Sequence, residues 1–164
     1  MLRISKIVDY GTLVLTHMAA CPDRVFSVAD LASTLGLGQP TVSKVLKALA
    51  RNELVKSSRG PHGGYVLSRP PERISIAQLV DALEDQPFGL TECSATPGVC
   101  SFEAGCQIRS NWRHINAIVR RTLEEVSVAD MLHPLPLDYP GHGLELPQAA
   151  PGACDVSQSW SLRK

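Results

Sequence analysis

Long apolar runs are missing from this 164-residue chain; nowhere do the roughly 18 consecutive apolar residues of a membrane span occur. The opening stretch, MLRISKIVDY, sets charges among its apolar residues and has no signal-peptide core or small-residue cleavage site. Secreted and membrane readings are set aside, and a cytoplasmic location is expected. Net charge is missing too, with 16 Lys and Arg balancing 16 Asp and Glu. The balance hides an asymmetry. Residues 1–70 hold nine basic and four acidic side chains, a net of +5, and residues 71–164 hold seven and twelve, a net of −5. A basic half in a neutral protein fits a nucleic-acid partner, because the electrostatic footprint is local. No Gly-rich phosphate loop, catalytic dyad or cofactor fingerprint occurs, so an enzyme is the weakest class of function. Five cysteines, an odd number without an export signal, point to reduced thiols or metal binding rather than a disulfide framework.

What is present is mostly helical periodicity. Residues 2–20 carry a helical apolar pattern that stops near Cys21-Pro22. Ser27 reads as an N-cap for a short helix burying Val28, Leu31, Ala32 and Leu35, spaced i, i+3, i+4, i+7. Gly36-Leu37-Gly38 is a turn, and Pro40 suits the first position of the next helix. That helix buries Val42, Val45, Leu46 and Leu49 and ends around Asn52. Two strand-like runs follow, Leu54–Ser57 and Tyr65–Ser68, joined by a Gly- and Pro-rich connection. Ser75 caps a further helix through Leu83, and residues 85–106 read as a loop. A longer helix carries Ile108, Trp112, Ile115, Val119, Leu123 and Val126, and Ser127 caps a last turn near His133. Residues 134–164 hold five prolines and three glycines without periodicity and are expected to be a disordered tail.

Helix, turn, helix and hairpin in that order predict a mainly α fold, a winged helix-turn-helix with a small β-hairpin wing. In such a fold the second helix enters the major groove of double-stranded DNA. Removing its buried face leaves Gln39, Thr41, Ser43, Lys44, Lys47 and Arg51 outward, with Arg59 at the top of the wing. An amide and hydroxyls ahead of cations suit base contact followed by phosphate contact. The plainer alternative is a helical hairpin whose cations merely face water.

Cys93, Cys100 and Cys106 fall within a 14-residue segment that also holds Pro97, Gly98 and Gly105. Three thiols on one flexible stretch can converge on a soft metal centre, since thiolates favour zinc and iron–sulfur clusters. The spacings are wider than those of structural zinc pairs, which favours a cluster. Unconnected cysteines are the alternative. Cys21 and Cys154 read as bystanders.

The stretch QPTVSKVLKALARNELVKSSRGPHGGYVLSRPPERISIAQLVDALE, with LTECSATPGVCSFEAGC after it, resembles the winged-helix iron–sulfur regulator family. The RG-x-x-GGY wing, the ERIS segment and the three cysteines carry the resemblance, which covers residues 1–133 and is strongest to the branch regulating the sulfur-mobilisation (SUF) assembly operon. It implies a homodimeric repressor with an iron–sulfur cluster, 2Fe–2S ahead of 4Fe–4S, on Cys93, Cys100 and Cys106. Some members add a histidine three residues after the last cysteine; here that residue is Arg109, whose guanidinium offers no ligating lone pair. Other members use an N-terminal aspartate of the partner subunit, and Asp9 lies at about the matching place. His114, Glu92, Glu103 and Cys154 are weaker candidates for that fourth ligand. The expected organisation is a DNA-binding domain at 1–84, a cluster loop at 85–106, a dimerisation helix and last turn at 107–133, and the tail. A regulator sensing by zinc or by thiol oxidation at the same cysteines is the competing function.

Overall fold

Helix start signals written in the sequence are used as such. In the computed structural model, which describes residues 4–60 and 63–133, Ser5 caps α1 (Lys6–Ala19) by accepting from the Val8 N–H at 3.4 Å. Ser27 caps α2 (Val28–Leu35) by accepting from the Asp30 N–H at 3.0 Å. Gly36 ends α2 in the left-handed region, φ 65°, a conformation glycine adopts without steric cost. Pro40 lies in the first turn of α3 (Gln39–Arg51). Strands β1 (Val55–Ser58) and β2 (Gly64–Leu67) pair antiparallel, with Val55 opposite Leu67 and Ser58 opposite Gly64. Ser75 and Gln78 form a reciprocal capping box that starts α4 (Ile76–Leu83). A single-turn helix α5 (Glu92–Ala95) lies inside the segment read from sequence as loop. The long helix α6 spans Arg109–Glu125 and is followed by a 3₁₀ turn at Asp130–Leu132. The tail expected at 134–164 lies outside the described residues.

One core joins α1 to α4 and the hairpin. Val14, Leu15, Met18, Leu31, Val42, Val45, Leu46, Leu49, Ile74 and Leu79 are all fully buried in it. The α1–α4 contact is close at Gly11, where a Cβ would fall 2.1 Å from Leu83 Cδ1, so any side chain there would require Leu83 to shift.

Two pairings tie distant segments together, and neither has a local sequence signal. Phe26, just ahead of α2, exchanges two backbone hydrogen bonds of 2.8 Å with Tyr65 of β2, which gives the wing a one-residue third strand. Ser75 bridges Ser127, with Ile76 N–H donating to Val126 O at 2.9 Å and Val128 N–H to Ile74 O at 2.8 Å. Val128 is thereby buried in the core, and the chain leaving α6 is fastened beside the start of α4.

Candidate nucleic-acid interface and cysteine segment

The outward face of α3 follows from subtracting its buried stripe. Gln39 is exposed in the first turn, and Lys44, Lys47 and Arg51 are exposed along one side. Thr41 and Ser43 are half-buried, so their hydroxyls offer less of themselves than the alternation of the sequence suggests. Lys44, Lys47, Ala50 and Arg51 form one wall of a shallow groove whose other wall is Ser57 and Tyr65 of the wing. A second depression beside it is lined by Ala50, Glu53, Val55, Lys56, Ser57, Ser68 and Arg69, so its two cations share it with a carboxylate. Lys56 and Arg59 are exposed at the wing. Arg69 is partly committed internally, donating to Arg73 O at 3.1 Å and to Gln78 Oε1 at 3.0 Å. The α3 cations thus face the wing across one groove, while Lys56 and Arg69 line a second and Arg59 lines neither. Tyr65 is a member of the first groove that sequence reasoning did not single out; its alternation in β2 was the available signal.

The wing is closely packed on the segment before α2 and within its own hairpin. A Cβ on Gly64 would lie 2.4 Å from Phe26 O, and one on Gly63 would lie 2.5 Å from Ser58 O. Below them, the Arg24 guanidinium sits 5.0 Å from the centre of the Phe26 ring, and the His17 ring meets Phe26 edge-on at 5.5 Å. Burial, helped by the positive charge of Arg24, holds the His17 imidazole below its ordinary pKa.

The cysteine segment runs from α4 to α6 and is anchored on α6. Leu90 N–H donates to Asn116 Oδ1 at 3.0 Å, and the Arg120 guanidinium lies 5.9 Å from the Phe88 ring centre. Arg120 also grips α4, its two terminal nitrogens donating to the two carboxylate oxygens of Asp81 at 2.6 Å each and its Nε to Glu124 at 2.8 Å. Those carboxylates raise the Arg120 pKa above its already high value.

All three cysteines of the segment are free thiols, Cys93 buried on α5 and Cys100 and Cys106 half-buried. Cys93 Sγ lies 3.4 Å from Thr91 Oγ1. Glu103 accepts from Gly98 N–H at 2.5 Å and forms an ion pair with Arg109. Asp9 is exposed on the first turn of α1. Among the described residues, no three His, Cys, Asp or Glu side chains are gathered as a metal site. The donor set therefore fits an iron–sulfur cluster in its chemistry, three thiols on one segment, but not in the arrangement seen here.

Exposed apolar side chains line α6 and its N-cap, and Val99 and Phe102 of the cysteine segment are more exposed still, at 60 and 79%. Ile108, Trp112, Ile115 and Ile118 are 56, 37, 42 and 54% exposed, whereas Val119 and Leu123, expected in the same stripe, are half-buried. No helix among the described residues is long and apolar enough to cross a membrane.

Comparison with known proteins agrees with this architecture. Residues 4–134 match the Rrf2 family, described as iron-dependent transcriptional regulators. BadM of Rhodopseudomonas palustris, named as an HTH-type transcriptional regulator, is 30% identical over 131 residues, which are 80% of this chain and 81% of that protein. The structure is similar to CymR, the global cysteine regulator of B. subtilis, with a TM-score of 0.63 and 26% identity over 80% of this chain and 97% of that one. It is likewise similar to T. potens IscR, with a TM-score of 0.61 and 26% identity over 80% and 86% of the two chains. A winged-helix reading head followed by a cysteine segment and a long helix, matched along four-fifths of its length, belongs to the Rrf2 family of transcriptional regulators.

Proposed function

We propose that this chain is a homodimeric repressor of an iron–sulfur cluster assembly (SUF) operon that senses its signal through an iron–sulfur cluster. The α3 and wing face reads double-stranded DNA, with Gln39, Thr41, Ser43 and Lys44 toward base edges and Lys47, Arg51, Lys56 and Arg59 toward phosphates. The exposed apolar stripe of α6 meets the same stripe of a second copy. Cys93, Cys100 and Cys106 hold the cluster, with Asp9 of the partner as the fourth ligand. When bound, the cluster supplies a redox-labile centre whose loss reports oxidant, iron or nitric-oxide status.

The observation that carries this reading is the placement of three free thiols on the one segment that links α4 of the reading head to α6. Ordering or releasing that segment biases how α6 sits on α4, and so biases the spacing of the two heads. The test is iron and sulfide analysis, with visible absorbance, on protein purified anaerobically. Stoichiometric iron and sulfide with charge-transfer bands supports the reading; colourless, iron-free protein that still binds its operator refutes it.

A second reading has an observation of its own. The thiols stand free and apart in this conformation, which suits sensing by their oxidation without any metal. In that case operator binding changes on peroxide treatment of iron-free protein. A zinc regulator would instead show zinc on metal analysis.

A further inference from the structure

The ungathered thiols have a visible cause. Glu103 lies between Cys100 and Cys106, and its carboxylate reaches in both directions along the chain: back to the N–H of Gly98 at 2.5 Å, and forward to the guanidinium of Arg109. The first contact closes the turn that carries Cys100, and the second closes the turn that carries Cys106. Backbone bonds complete each turn, Glu103 N–H donating to Cys100 O at 3.1 Å and Arg109 N–H to Cys106 O at 3.4 Å. The carboxylate is well shielded, with 11% of the Glu103 side chain exposed against 35% for Arg109. Cys93 belongs to neither turn; it sits on α5, whose approach is tied to Asn116 instead.

We propose that Glu103 is a latch: while its carboxylate holds Gly98 and Arg109, Cys100 and Cys106 stay in separate closed turns, and it must let go before the three thiols can meet. This rests on the sensing role given above to those cysteines. The closed state is not over-stabilised, which is what a latch requires. Arg109 Nε is buried there without an acceptor, and an orphaned donor offsets part of what the ion pair contributes. Opening returns that N–H to water. The residue at the position where some relatives place a ligating histidine thus acts here through Glu103 and touches no ligand itself.

The experiment measures alkylation of each cysteine by iodoacetamide in metal-free, reduced protein, read by peptide mass spectrometry, for wild type, Glu103→Ala, Arg109→Gln and the double variant. Circular dichroism checks that each is folded. Glu103→Ala should speed modification of Cys100 and Cys106 by about tenfold, the equilibrium factor of one charge-assisted hydrogen bond, and leave Cys93 at its wild-type rate. Arg109→Gln should speed Cys106 more than Cys100, and the double variant should add nothing to Glu103→Ala. Unchanged rates at Cys100 and Cys106, or an equal rise at all three cysteines, would overturn the latch. The same proteins are then incubated anaerobically with ferrous iron and sulfide. Failure of every variant to take up iron, with the alkylation pattern as expected, removes the cluster reading and leaves the latch standing.

Discussion

Replacing Lys47 by alanine should weaken DNA binding on every sequence alike and flatten its salt dependence. On the α3 and wing face Lys47, Arg51, Lys56 and Arg59 are exposed cations, proposed above to meet phosphates. A proposed dimer then presents eight such contacts. At about 0.9 counterions released per phosphate, the logarithm of affinity should fall with the logarithm of salt with a slope of about −7. Raising salt from about 50 to 200 mM should therefore cost about 10⁴-fold in affinity. Lys47→Ala removes two contacts per dimer, which lowers the slope to about −5 and weakens binding about 60-fold near 0.1 M salt. Fluorescence anisotropy with a labelled pseudo-palindromic operator and an unrelated duplex, across that salt range, measures both quantities. Lys44→Ala is the contrasting variant, since it should change the ratio between the two duplexes. An unchanged slope in Lys47→Ala, or a loss confined to the operator, would refute the phosphate assignment.

Glutamates introduced together at Ile115 and Ile118 should place charges in the apolar stripe of α6 at a cost of several kcal/mol; sedimentation equilibrium should show folded monomer, and an intact dimer would exclude this seam. Arg120→Ala should lower stability to denaturant by about 1 kcal/mol, because the bidentate pair with Asp81 is partly solvated, and a double-mutant cycle with Asp81→Ala should recover most of that as coupling. The folded state holds His17 below its ordinary pKa, so the unfolded chain binds the proton more readily and stability should fall as pH drops through about 6.5. His17→Gln should flatten that part of the profile in urea melts run between about pH 7.5 and 5, and an unchanged profile would assign the slope to other groups. Asp9→Ala should shorten the lifetime of the visible bands in air, whereas Cys93→Ala, Cys100→Ala and Cys106→Ala should each abolish iron uptake; wild-type decay in Asp9→Ala would move the fourth ligand elsewhere.

The reading head was legible because its signals are local. Ser27 and Ser75 cap where expected, Pro40 falls in the first turn of α3 one residue after its start at Gln39, and Asn52 ends it. Buried positions such as Val42, Val45, Leu46 and Leu49 fell on one helical face and are all fully buried. What escaped were contacts between residues far apart in the chain. Nothing near Phe26 announces that its backbone will pair with Tyr65, and nothing near Ser127 announces Ser75. Helical spacing alone put Val119 and Leu123 with Ile115 and missed Ile118; the packing of α6 on α4, fixed by Arg120 and Asp81, decides which edge of the stripe stays open. In the cysteine segment the residue types were readable and their conformation was not, since Glu103 chooses its partners from five residues before it and six after it.

The one-residue third strand at Phe26 has a consequence for what any signal can alter. Because β2 is fastened to the residue that leads into α2, and Gly64 admits no side chain there, the base of the wing and the helical pair move together. A displacement arriving from α6 therefore shifts a whole head, leaving the relation of α3 to its own wing as it was. In the dimer proposed above, such a shift changes how well two heads match the separation of two half-sites, and so the occupancy of DNA. It leaves the face that each head offers to bases as it was. In the proposed sensor, signal and sequence preference are then separable properties, the one carried by the cysteine segment and α6 and the other by α3 and its wing.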